Sequence, residues 1–136
     1  MRVLYQFPLW IQRLYVGVHW RMSHKRKAVY LTFDDGPIPE VTPQVLAILD
    51  RYGVKATFFM VGENVVKHPD VFQQVRDGGH AIGNHTYNHM KGLRVRTRAY
   101  INNIEKADVV LGGTRLFRPP YGRFWIWQKL ALLRRG

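Results

Sequence analysis

The chain is 136 residues long, 46% hydrophobic and 13% aromatic, enough to bury roughly two thirds of its unfolded surface as one compact unit. It has no cysteine, which excludes disulfides and thiolate metal ligands and leaves histidine and carboxylate as the strong ligands available. A formal charge of +12, from 21 Lys and Arg against 9 Asp and Glu, leaves two readings open. One is affinity for an anionic surface such as lipid headgroups, an acidic cell-wall polymer or nucleic acid; the other is a solvated basic face made extreme by a missing acidic remainder.

In residues 1–27, Phe7, Trp10, Ile11, Leu14, Tyr15 and Val18 fall at helical spacing on one side, while Gln12, Arg13, His19 and Arg21 lie on others. This predicts an amphipathic helix that packs on the following domain or lies on a membrane surface. The segment lacks the uninterrupted apolar core and small-residue cleavage site of a signal peptide, and polar residues break it too often for a bilayer span. No targeting segment is recognised, which leaves a cytoplasmic or peripherally envelope-associated location.

The apolar run at 28–33 reads as a buried strand ending in Asp34-Asp35-Gly36-Pro37. A helix follows, with Thr42 as cap, Pro43 in the first turn, Val45, Ile48, Leu49 and Tyr52 on one face, and Gly53 as its stop. Residues 56–61 predict a second buried strand, 69–77 a helix ended by Gly78-Gly79, and 80–83 a short third strand. Arg94, Arg96 and Arg98 alternate with Val95 and Thr97 in what reads as an exposed loop, and no nucleic-acid motif appears. Thr97 caps a helix with Ile101, Ile104 and Leu111 inward, residues 116–118 form a fourth strand, and a helix over 125–135 closes the chain. Repeated β-then-α units predict a parallel sheet whose carboxyl ends carry the site.

Three clusters carry chemistry. Adjacent carboxylates at a strand's mouth repel unless a cation sits nearby or one takes up a proton, so Asp34 and Asp35 are candidates. His85 and His89, four apart, would share one side of a helical turn, and two His with one carboxylate make the three protein ligands of a catalytic zinc site. In Arg118-Pro-Pro-Tyr-Gly122, two prolines and a glycine suit a rigid loop that holds an arginine and a backbone N–H in place. Each also has a plain structural reading: an ordinary Asp turn, a solvated His pair, a proline-rich docking segment.

Together and in this order, TFDDGP (32–37), ATFF (56–59), GHAIGNHTYNH (79–89) and RPPYG (118–122) resemble the polysaccharide deacetylase family. This is carbohydrate esterase family 4, which shares the nodulation-type chitooligosaccharide deacetylase homology domain. The resemblance implies an α/β fold, a distorted (β/α) barrel of which about the first half is present, with exposed sheet edges. It implies that Asp35, His85 and His89 bind a divalent metal, usually zinc, and that Asp34 is the general base toward a metal-activated water. It further implies that Arg118 pairs with Asp34 to keep it ionised and oriented, and that the backbone N–H of Tyr121 stabilises the oxyanion. That division of labour is chemically coherent: the metal polarises the carbonyl, the carboxylate collects the proton, and a fixed N–H bonds charge that develops only in the transition state.

The family completes its site with a Trp-Asp strand that forms the pocket wall and partners Arg118, and with a Leu-x-His strand whose His is the general acid. Neither string occurs in these 136 residues. His19, His24 and His68 do not obviously replace the acid, and His80 reads as a packed or hydrogen-bonded structural residue. The sequence is therefore read as an N-terminal amphipathic extension, 1–27, and the front part of a deacetylase domain, 28–136. Two functions follow. The first is metal-dependent removal of N- or O-acetyl groups from an acetylated glycan, with chitin oligomers, peptidoglycan and acetylxylan all open. The second is a catalytically incomplete metal-binding or glycan-binding remnant.

Overall fold

The computed structural model describes residues 9–14, 17–20, 22, 25 and 27–135. Its sheet has three parallel strands in the order β1-β2-β3, at Thr32–Asp34, Thr57–Met60 and Ala81–Asn84. Thr32 pairs with Thr57 and Thr57 with Ala81, so the strands end level and the segments after them emerge on one rim. At the expected fourth strand only a bridge forms, Phe117 beside Asn84. It consists of Asn84 N–H to the Leu116 carbonyl at 2.7 Å and Arg118 N–H to the Asn84 carbonyl at 3.0 Å. Pro119 follows at once and has no N–H to extend the ladder.

Helices α2 (Thr42–Arg51), α3 (Gly62–Lys67), α4 (Pro69–Asp77) and α5 (Thr97–Leu111) supply most of the apolar cover. One core joins Leu49 of α2, Phe58 and Met60 of β2, Val65 of α3, Phe72 and Val75 of α4, and Ala107 and Leu111 of α5. Phe58 and Met60 share one face of β2, as a two-residue period requires, and Phe59 points the other way. A second core of Tyr100, Ile101 and Ile104 lies between α5, Phe117 and α6 (Ile126–Leu133). The first N-terminal element, α1 (Leu9–Leu14), falls inside the predicted amphipathic segment and exposes Trp10. Phe7, Tyr15 and Arg21 of that segment lie outside the described residues. No helix among the described residues is long and apolar enough to cross a membrane.

Several expectations are corrected. The buried strand expected over 28–33 contracts to β1, and Val29 is 87% exposed. Among the described residues β1 has a partner strand on one side only, and its ladder with β2 opens at the Thr57 N–H to Leu31 carbonyl bond. Thr42 is not the cap of α2: Val41 is, and the Thr42 hydroxyl instead accepts from the Ile38 N–H at 2.9 Å, tightening the entering turn. Ile48 and Tyr52 are exposed, because Val45, Leu46 and Leu49 form a narrower inward stripe than the sequence suggested. Arg96, not Thr97, caps α5. Helix α3 was not anticipated, and α6 buries Gln128 and Lys129 while Trp127 is 68% exposed.

Candidate metal centre and catalytic cavity

The site lies on the rim where the strands end. β1 terminates at Asp34, and Asp35 turns away with a left-handed φ of 69°. Two bonds hold that turn: Asn64 donates its side-chain amide to the Asp35 carbonyl at 2.8 Å, and Val61 N–H donates to the Gly36 carbonyl at 2.9 Å. Asp34 and Asp35 follow in sequence but leave the strand differently, so their carboxylates serve different neighbours.

Residues 85–89 were expected in a helical turn; they form a loop instead, with Thr86 at φ 68° and His89 at φ 54°. A left-handed φ at a β-branched residue is an outlier that needs outside support. It has that support: the α3 N–H groups of Gly62 and Glu63 donate to the Thr86 and Tyr87 carbonyls at 3.0 and 2.7 Å. The Thr86 hydroxyl accepts from Met90 N–H at 3.0 Å, and Asn103 of α5 accepts from Tyr87 N–H at 2.8 Å. The loop, not helical periodicity, brings the imidazoles together, with ring centroids 5.1 Å apart.

His85 is 3% exposed. Its Nδ1 lies 2.7 Å from the Arg118 carbonyl oxygen, which can only accept, so Nδ1 carries the proton and the Nε2 lone pair faces Asp35. Nε2 of His85 and Nε2 of His89 stand 3.4 and 3.1 Å from the same Asp35 carboxylate oxygen. Burial lowers the His85 pKa below its ordinary value, outweighing the raising effects of the Arg118 carbonyl and of Asp34 and Asp35. The ring is therefore neutral at physiological pH, the form that can ligate. One ligand atom from each of Asp35, His85 and His89 falls within 4.8 Å of the others. Two imidazole nitrogens and one carboxylate oxygen on one side, with open space opposite, fit a three-ligand divalent ion that keeps a position free.

Arg118 donates from one guanidinium nitrogen to Asp34 at 2.6 Å and to the Thr32 hydroxyl at 2.9 Å, while its carbon sits 4.0 Å over the Phe59 ring. The ion pair is about one third exposed on both sides, where such a pair contributes about 1 kcal/mol or less to stability. Its main effect is to orient the Asp34 carboxylate. Tyr121, at φ 60°, packs its ring edge-on to His89 with centroids 4.8 Å apart. Asp34, Asp35, His85, His89, Arg118 and Tyr121, the six residues singled out in the sequence, line one open cavity of about 460 Å³, joined by Pro119 and Gly122.

Sequence reasoning missed the residues that set this geometry. Asn64 carried no signal, lying in an unpredicted helix, and Phe59 read only as a core strand residue. Asn84 did carry one: an Asn just before a His-x-x-x-His loop is positioned to bond the backbone two residues on. His80 is structural, its Nδ1 accepting from Ala56 N–H at 3.2 Å.

Comparison with known proteins agrees with the geometry. The polysaccharide deacetylase family model matches residues 21–132. A peptidoglycan-N-acetylglucosamine deacetylase of Bacillus cereus is 42% identical over 104 residues, covering 73% of this chain and 38% of that protein. A chitooligosaccharide deacetylase of Azorhizobium caulinodans is 38% identical over 125 residues, covering 87% of this chain and 59% of that protein. The crystal structure of a peptidoglycan N-acetylglucosamine deacetylase superposes with a TM-score of 0.76 at 39% identity, covering 78% of this chain and 52% of that one. The chain thus spans 38 to 59% of the length of these relatives. Its parallel strands and covering helices correspond to part of their α/β barrel. With the family model covering most of its length, the chain belongs to the polysaccharide deacetylase family.

Proposed function

We propose that the chain takes part in metal-dependent hydrolysis of acetyl groups on a glycan, with the acetamide of an N-acetylglucosamine-type unit as the reacting group. The observation that carries this is the placement of a two-His, one-carboxylate cluster beside an Arg-oriented second carboxylate in one cavity. The names of the relatives, peptidoglycan-N-acetylglucosamine and chitooligosaccharide deacetylases, agree with the substrate class. Residues 28–136 form the deacetylase unit and residues 1–27 an N-terminal amphipathic extension.

Hydrolysis adds water across the amide C–N bond and releases acetate and a free amine. Asp35, His85 and His89 would hold a divalent ion, with zinc the reading their donor set favours, and when bound the ion would supply polarisation of the carbonyl and acidification of water. Asp34 accepts the proton that water loses, and Arg118 keeps that carboxylate aimed into the cavity. The Tyr121 N–H donates to the oxygen on which negative charge develops. The chain's positive charge favours approach to an anionic envelope surface, a membrane or an acidic cell-wall polymer.

A second reading, metal binding without turnover, has its own support: the described cavity lining contains no third imidazole beside His85 and His89 to protonate the leaving amine. Zinc content and deacetylation of an N-acetylglucosamine oligomer, measured on wild type, Asp34→Asn and His85→Ala, separate the two. On the first reading Asp34→Asn keeps zinc and loses about 10²-fold or more of the rate, while His85→Ala loses both. Zinc uptake by wild type with no deacetylation would establish the second, and equal zinc in wild type and His85→Ala would remove the ligand assignment.

A further inference from the structure

Asn84 is 1% exposed, and every hydrogen-bonding group it owns is engaged across three elements. Its backbone N–H donates to Leu116 at 2.7 Å and its carbonyl accepts from Arg118 N–H at 3.0 Å. Its side-chain amide donates to the Ile104 carbonyl and to the Asp108 carboxylate, both on α5 and both at 2.8 Å. Its side-chain oxygen accepts from Thr86 N–H at 2.7 Å. Both amide hydrogens and the amide oxygen are thus engaged: Asp would offer no donors, Gln would overreach, and an apolar residue would leave buried groups unpaired.

The bonds bracket His85. On one side the backbone of Asn84 holds position 118, whose carbonyl fixes the His85 tautomer and whose guanidinium orients Asp34. On the other side its side chain holds Thr86 in its left-handed conformation. Asp108 in turn fixes which end of the Asn84 amide faces Thr86, because a carboxylate can bond only the NH2 end.

We propose that Asn84, oriented by Asp108, is a positioning residue that sets the histidine loop and Arg118 relative to each other, so that ligand triad and base are built as one unit. The inference rests on the metal-centre reading above and extends it to residues that touch neither metal nor substrate.

Zinc affinity by competition titration, the visible spectrum of the cobalt form, and amide hydrogen exchange of the metal-free full chain test it. Asn84→Asp leaves the shape but removes both donors and sets two carboxylates together. It is expected to raise the zinc Kd tenfold or more and to alter the cobalt spectrum. Adding Asp108→Asn restores a donor between the pair and should recover part of the loss. A purely structural role would lower the Tm and leave the zinc Kd of the folded fraction unchanged. A folded Asn84→Asp with a zinc Kd within twofold of wild type overturns the proposal. Should that variant not fold, Asp108→Ala, at a half-buried surface position, decides instead. Exchange of the Thr86 amide at least tenfold faster, with a zinc Kd about threefold higher, supports the proposal; unchanged exchange overturns it. If wild type itself takes up no zinc, the metal-centre reading fails, and Thr86 and Arg118 exchange in metal-free Asp108→Ala still decides the positioning claim.

Discussion

At the scale of single residues, the site separates the groups to which we assign chemistry from the groups that hold them. Asp34, Asp35, His85, His89 and Arg118 were legible because few other roles explain such residues together in such strings. Their supports, Asn64, Asn84 and Thr86, are ordinary polar residues whose meaning depends on what lies opposite. The histidines also set a pH dependence. Burial, with Lys55 adding to it, lowers the His80 pKa below 6.5, and burial lowers that of His85 as well. The folded metal-free chain thus resists protonation that the unfolded chain accepts as pH falls through about 6.5. Stability fully present above that value declines as pH drops below it, toward the lower folded pKa values. A urea midpoint lower at pH 5.5 than at pH 7.5 is expected, with part of the decline removed in His80→Asn, which keeps an acceptor for Ala56 N–H and does not titrate. A midpoint flat across this range would contradict the assignment.

At the scale of elements, alternation of strand and helix and the glycine stops placed most boundaries within a residue or two. The failures share a cause. Helix α3 has six residues and is separated from α4 by His68 alone, so no sequence period could develop; it stands because Val65 packs in the main core and its N–H groups find the histidine loop. The apolar residues before β1 looked buried because burial was inferred from composition, whereas exposure depends on which strands flank them. Between β2 and β3 the fit is close: a Cβ built on Gly83 would lie 2.5 Å from the Phe59 ring. That ring carries the Arg118 guanidinium, so Gly83→Ala must displace Phe59 and disturb Arg118 with it. We expect Gly83→Ala to lower stability by about 1–3 kcal/mol, read as a reduced urea midpoint. A midpoint equal to wild type would show that the ring has room to move.

At the scale of the whole molecule, a charge of +12 dominates long-range behaviour. Retention on an acidic cell-wall polymer is expected to collapse between about 0.1 and 1 M salt, as the Debye length falls from about 10 to 3 Å. Binding to an uncharged N-acetylglucosamine oligomer should change little over the same range, and salt-insensitive retention on the polymer would point to contacts other than charge. By itself the sequence determined the family, the parallel α/β plan and six of the eight residues that line the cavity, because those depend on local strings and on the chemistry of the side chains within them. Only the tertiary structure decided that His85 and His89 meet through a strained loop instead of a helix, that one Arg118 nitrogen is shared between Asp34 and Thr32, and that Asn84 ties the histidine loop to Arg118. The bonds responsible, from α3 to the histidine loop, from Arg118 to β1 and from Asn84 to α5 and Arg118, join residues distant in the chain, and the free energy that holds them comes from burial and hydrogen bonding across elements that no local pattern encodes.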